Sequence, residues 1–229
     1  MDGRGRTRIW HPAAALPLLL IVGPYYVNKL VYLAEPGFTA FAVTDYGDRI
    51  VTLGILYLVL RHSPVALAIP WRLAVPSLGG WLAALAGAAI LTAVDVGSGP
   101  LMGWLDAHGV ELTHYPSSSD PAMALFDDTV GMVLVGLSEE AVFRFYLINA
   151  LVLRGAGIGT AIVLSSLVFA GIHWSYGLSA LAFALFAGFV LAPIYVATRN
   201  LAVPVIAHAL YDSIFFFGGV SALRTLVYP

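Results

Sequence analysis

The chain has 229 residues, of which 60% are hydrophobic and only 10% charged, with a formal net charge of −2 and a mean hydropathy of +0.88. A water-soluble domain has about 45–50% apolar and 25% charged residues, so this composition excludes one, and the near-neutral charge gives no electrostatic footprint for nucleic acid. There is no cysteine, which excludes disulfides, thiolate metal sites and a cysteine nucleophile.

Apolar runs of about 20 residues predict membrane-spanning helices; barrel strands would alternate over about 10. The basic start (Arg4, Arg6, Arg8) resembles a signal peptide. No small-x-small cleavage site closes a short apolar core, so an uncleaved first span is expected. The predicted spans are 13–33, 45–61, 76–95, 129–153, 157–175, 179–198 and 201–220. The piece Val65–Ile69, between Pro64 and Pro70, is too short to span and leaves room for an eighth helix or a re-entrant turn. The expected fold is an all-α polytopic membrane helix bundle of about seven (six to eight) transmembrane helices, a single domain over 1–229 whose first partner is the lipid bilayer.

Charge places the ends. With the N-terminus cytoplasmic, Arg4, Arg6, Arg8, Arg61, Arg72, Arg154 and Arg199 all fall inside, as the positive-inside rule expects. Arg49 and Arg224 fall on the other side, Lys29 near the end of span one, and Arg144 within a span. The longest connection, about 96–128, carries Asp106, Glu111, Asp120 and Asp127 and no Lys or Arg. It reads as a non-cytoplasmic loop, with Leu101–Leu105 and Trp104 suited to the membrane interface.

Three polar islands interrupt the apolar runs. The first is Glu139-Glu140-Ala141-Val142-Phe143-Arg144. An ionised side chain at membrane depth costs about 2.5–3.5 kcal/mol on insertion scales and is a functional hypothesis by default. Glu140 and Arg144 are i and i+4 on one helix face and suit an ion pair. Glu139 is turned about 100° away, on the face of Gly136, Phe143 and Tyr146. It has no local cation and suits a base acting on water. The alternative is one buried ion network of all three.

The second island is Phe169-x-x-x-His173, with a ring four residues below an imidazole. A neutral His at membrane depth can move a proton, or can serve as an interhelical hydrogen-bond partner. Trp174 and Tyr176 beyond it read as interfacial anchors. The third island is His208-x-x-x-Asp212. There the carboxylate orients a buried imidazole, or His208 donates to a developing oxyanion beside Asp212. An ionised Asp212 cannot donate.

Counted from the cytoplasmic span ends, Glu139, His173 and His208 lie at depths of about 21, 24 and 13 Å, close enough to meet given tilt. Gly155-Ala156-Gly157 reads as a tight turn, since no P-loop Lys-Ser/Thr follows. Asp95 and His114 read as edge and loop polars. Ser138, Ser165 and Ser166 lack a nucleophile elbow.

Glu139-Glu140-x-x-x-Arg144, Phe169-x-x-x-His173 and His208-x-x-x-Asp212, in that order on separate helices, resemble the three motifs of the CPBP intramembrane proteases. That family includes the type II CAAX prenyl endopeptidases and the bacteriocin-processing and self-immunity proteins. The resemblance covers about 129–215, the expected catalytic core. The first 128 residues match no motif. The resemblance implies that Glu139 is the catalytic glutamate and His173 its partner in activating water. It implies that His208 and Asp212 stabilise the oxyanion, and that Glu140, Arg144 and Phe169 support them. Position 212 is Asn in many members and Asp here. The implied activity is intramembrane endopeptidase hydrolysis by a Glu/His-activated water, with no acyl-enzyme and no cofactor. The implied substrate is a membrane-associated protein or a tail or leader peptide, and the implied place a bacterial or archaeal plasma membrane.

Three other readings stand beside this one. The first is a zinc-dependent protease with Glu139, His173 and His208 as ligands, although His-Glu-x-x-His is absent. The second is a non-catalytic membrane scaffold or immunity protein. The third is a proton-coupled transporter, which lacks the expected inverted repeat.

Overall fold

The computed structural model describes residues 12–34, 37–61 and 72–229. Arg4, Arg6, Arg8 and Val65–Ile69 lie outside the described residues. Among the described residues, all regular structure is helical: α1 (Pro12–Tyr32), α2 (Phe38–Arg61), α3 (Leu78–Gly97), α4 (Gly99–His108), α5 (Pro121–Phe126), α6 (Met132–Glu139), α7 (Ile148–Leu153), α8 (Ile158–Gly171), α9 (Leu178–Thr198), α10 (Ala202–Phe216) and α11 (Gly219–Val227). Two π-helical turns, Asp127–Gly131 and Glu140–Leu147, join α5, α6 and α7 into one unbroken run.

Local chemistry explains the boundaries. Ser77 caps α3 by accepting from the Gly80 amide, and Asp120 caps α5 by accepting from the Ala122 and Met123 amides, with Pro121 at the first helical position. These caps satisfy N–H groups that a helix start leaves orphaned. Gly177, at φ 96°, makes the reversal between a 3₁₀ turn (Trp174–Tyr176) and α9, a conformation in which a side chain is strained.

α3 and α9 are long and apolar enough to cross a membrane, and the pair α10–α11, bent by 69°, makes a third candidate. Length and apolarity alone therefore do not give the expected seven spans. The reasons are physical. α2 carries Asp45, Asp48 and Arg49, α8 has 14 residues, and the run from α5 to α7 contains Glu139, Glu140 and Arg144. The boundaries also move. α2 begins at Phe38 rather than 45, the fourth helical run begins at Pro121 rather than 129, and the 96–128 connection holds α4 and α5.

Leu30, Val43, Ile50, Leu82, Leu85 and Leu167 stand exposed on helices whose other faces are buried. So broad an apolar exterior belongs in lipid, and the chain is an integral membrane protein. Its main hydrophobic cluster runs from Ile21 and Tyr25 through Phe143 and Phe169 to Tyr195 and Tyr211, and a smaller one holds Tyr32, Phe41 and Ala42.

Asp95 is not the edge polar expected. It is buried in α3, accepts from Tyr211 at 2.6 Å, and pairs with Arg224 at 2.6 Å. It ties α10 and α11 to α3. His114 is exposed beside Glu111 in the 109–120 connection, as expected.

Candidate active site

The first motif sits where α6 passes into a π turn. Every residue from Glu140 to Leu147 is buried. A π turn sets residues off the 3.6-residue pattern and is common at functional sites. α6 approaches α10 closely because position 136 is glycine. A Cβ there would stand 3.2 Å from the Val205 carbonyl oxygen and 3.6 Å from the His208 Cβ. Gly136→Val is accordingly expected to force α6 and α10 apart. Activity should fall together with loss of the Glu140–His208 contact, read from the His208 ring resonances.

Glu139 is not without a cation. Arg49 of α2 donates from Nη1 to Glu139 Oε1 at 2.9 Å and to Ser138 Oγ at 3.1 Å. Its Nε donates to Asp45 Oδ2 at 2.8 Å. Asp45 in turn accepts from Asn28 at 3.3 Å and from the Tyr32 hydroxyl. The α1–α2 pair thus supplies a buried polar frame for a motif that lies ninety residues further on. Glu139 Oε2 is buried without a protein hydrogen-bond partner and lies 3.9 Å from His208 Nε2. That gap suits a bridging water.

Glu140 does more than pair with Arg144. The expected ion pair is present, with Arg144 Nε 3.1 Å from Oε2. The other oxygen, Oε1, lies 2.8 Å from His208 Nδ1. A carboxylate accepts, so Nδ1 carries the proton. Asp212 Oδ2 lies 3.4 Å from His208 Nε2. His208 is therefore held from one side by Glu140 and flanked on the other by Asp212 and Glu139.

His173 follows α8 and is half-buried. Its Nδ1 lies 3.0 Å from the Phe169 carbonyl oxygen, which can only accept, so Nε2 keeps its lone pair. Phe169 is a hub. Its ring meets His173 edge-on at 5.0 Å, His208 at 5.9 Å and Phe143 at 5.3 Å. The Arg144 guanidinium lies 4.0 Å from its centroid, a buried cation–π contact.

Glu139, His173, His208 and Asp212 all line one cavity of about 530 Å³. Arg49 and Lys29 line it too, and neither stands in one of the three motifs. Lys29 is buried in α1, donates to the Tyr176 hydroxyl at 2.9 Å, and lies over the Tyr32 and Tyr176 rings. The cavity opens past Asp106, Glu111 and His114, all exposed. Nearby, Tyr115 donates to Asp127 at 3.3 Å. Burial, with the Asp45 and Asp127 charges adding, pushes the Tyr115 hydroxyl above its ordinary range and keeps it a neutral donor.

Among the described residues no three His, Cys, Asp or Glu side chains converge as a metal site.

Residues 121–214 match the family model described as type II CAAX prenyl endopeptidase Rce1-like. The matched stretch is less than half of the chain and contains all three motifs. It agrees with the resemblance those motifs carry, to a family of peptide hydrolases. No curated protein and no solved structure matches the chain.

Proposed function

We propose that this chain is an intramembrane endopeptidase that hydrolyses a peptide bond with a water activated by Glu139 and His173. One observation supports this reading above the others: the partnerless Glu139 Oε2 faces His208 Nε2 across 3.9 Å in a cavity that His173 and Asp212 also line. The Rce1-like match over 121–214 supports the reaction class.

In this reading Glu139 Oε2 takes a proton from water, with His173 Nε2 accepting from the same water. The resulting hydroxide attacks the peptide carbonyl carbon, and the carbonyl oxygen becomes an oxyanion. A His208 protonated on both nitrogens keeps Nδ1–H on Glu140 and points Nε2–H at that oxyanion. Asp212 orients the ring. The tetrahedral intermediate collapses, the C–N bond breaks, and the proton on Glu139 passes to the leaving nitrogen. No acyl-enzyme forms and no metal takes part. Arg49 keeps Glu139 in place throughout.

The membrane arrangement belongs to the same proposal. Seven spans with the N-terminus cytoplasmic, in a bacterial or archaeal plasma membrane, suit the distribution of basic residues. The substrate is a membrane-associated polypeptide.

The test uses purified protein in liposomes with a library of membrane-anchored peptides. The wild type should generate new peptide ends. His208→Ala should lower the rate by about 10²–10³-fold, the value of one oxyanion donor. His173→Ala should lower it by about 10²–10⁴-fold, the range for general-base assistance. Undiminished cleavage by both variants would remove these roles.

A further inference from the structure

The bundle has two chemically different ends, and the cavity opens at only one of them. Arg72 and Asn200 pair through their backbones, so the start of α3 meets the end of α9 and the start of α10. α8 packs along α9, where Ser166 fills the space beside Gly188, so Gly157 lies near that same end. α2 runs parallel to the α5–α7 run, since Tyr46 donates to Asp127 and Arg49 to Glu139. Arg61 and Arg154 therefore share an end. Arg61, Arg72, Arg154 and Arg199 all mark this first face, and Arg4, Arg6 and Arg8 precede the α1 terminus that points to it.

The second face is assembled from other segments. The 109–120 connection is anchored there, Leu112 N donating to Ser175 O at 2.9 Å and Thr113 Oγ1 to Tyr32 O at 3.3 Å. Tyr228 donates to Gly97 O at 2.7 Å. The cavity is lined by Asp106, Glu111, His114 and Arg224 of this second face, and by none of the four arginines of the first. Of the Lys and Arg among the described residues, Arg61, Arg72, Arg154 and Arg199 belong to the first face. Lys29, Arg49 and Arg144 are buried within the bundle, and among the described residues Arg224 alone belongs to the second.

Short connections rich in Lys and Arg stay cytoplasmic, while acidic residues contribute little to orientation. From this asymmetry and the cavity lining we infer that the cavity opens on the non-cytoplasmic side of the membrane, so that its substrates are polypeptide segments exposed outside the cytoplasm. The substrate part rests on the peptidase reading. The orientation does not. A cytosolic tail could reach this cavity only by crossing the bilayer, whereas the end of an exported or membrane-anchored protein meets it directly.

The absence of cysteine makes the test clean. Ser119→Cys places a thiol on the exposed 109–120 connection, and Gly157→Cys places one at the opposite end, where a side chain meets open space. Neither residue lines the cavity. Intact cells expressing the full chain are treated with a membrane-impermeant maleimide, and the same cells after permeabilisation provide the reference. The expected result is full labelling of Ser119→Cys in intact cells and loss of labelling at Gly157→Cys until permeabilisation. Labelling of Gly157→Cys alone in intact cells would overturn the inference and leave the peptidase reading standing. In parallel, right-side-out vesicles should cleave added peptide and inverted vesicles should not. If neither cleaves while the labelling holds, the peptidase reading fails and the orientation survives.

Discussion

Glu139→Gln is expected to lower peptide hydrolysis by about 10²–10⁴-fold, the contribution of a positioned general base, with the protein still folded. The substitution keeps the size of the side chain and its ability to accept from Arg49 Nη1. It removes the basic oxygen at Oε2, which faces His208 Nε2 without a protein partner. Arg49 keeps its buried partner Asp45, so the variant should stay folded and lose less thermal stability in detergent than Arg49→Met. A catalytic loss of this size in a folded protein separates a chemical role for Glu139 from a purely structural ion network. If the variant cleaves as fast as the wild type, Glu139 is not the base.

Arg49→Met should act on stability first. Arg49 is buried and pairs with two buried carboxylates, Asp45 at 2.8 Å and Glu139 at 2.9 Å. Removing one partner of a buried pair costs about 3–5 kcal/mol, because the remaining charge stays desolvated and uncompensated. For a chain of this size that corresponds to a fall in melting temperature of about 6–20 °C. Arg49→Lys should recover only part of this. A lysine is a point charge and cannot offer Nε to Asp45 and Nη1 to Glu139 together. The double variant Asp45→Asn/Arg49→Met should be more stable than Arg49→Met alone, since it leaves one fewer unpaired carboxylate. A melting temperature unchanged by Arg49→Met would mean that the α1–α2 frame does not hold the site.

The three polar islands were legible because each breaks an apolar run, and charge inside such a run has few explanations. The Glu140–Arg144 pair was legible because i,i+4 geometry is local. Arg49 was not, although it also stands four residues after an acid, Asp45. The predicted second span starts at 45, which puts Arg49 on the non-cytoplasmic side and outside the site. In fact α2 begins at Phe38 and carries Asp45 and Arg49 into the bundle. The contact of Glu140 with His208 was hidden for a different reason. It depends on which helices touch, and that is decided by the close approach over Gly136. A π turn at Glu140–Leu147 also breaks the 3.6-residue register on which the face assignments relied. Asp95 looked like a span-end residue. Only the bend between α10 and α11 brings Arg224 back to it.

The most direct measurement is a comparison of protein termini in host membranes expressing the wild type or Glu139→Gln at equal levels. The account predicts new termini with the wild type that are absent with the variant, on polypeptide segments outside the cytoplasm. Identical termini in the two membranes, with both proteins folded and a cleavable substrate present, would contradict it.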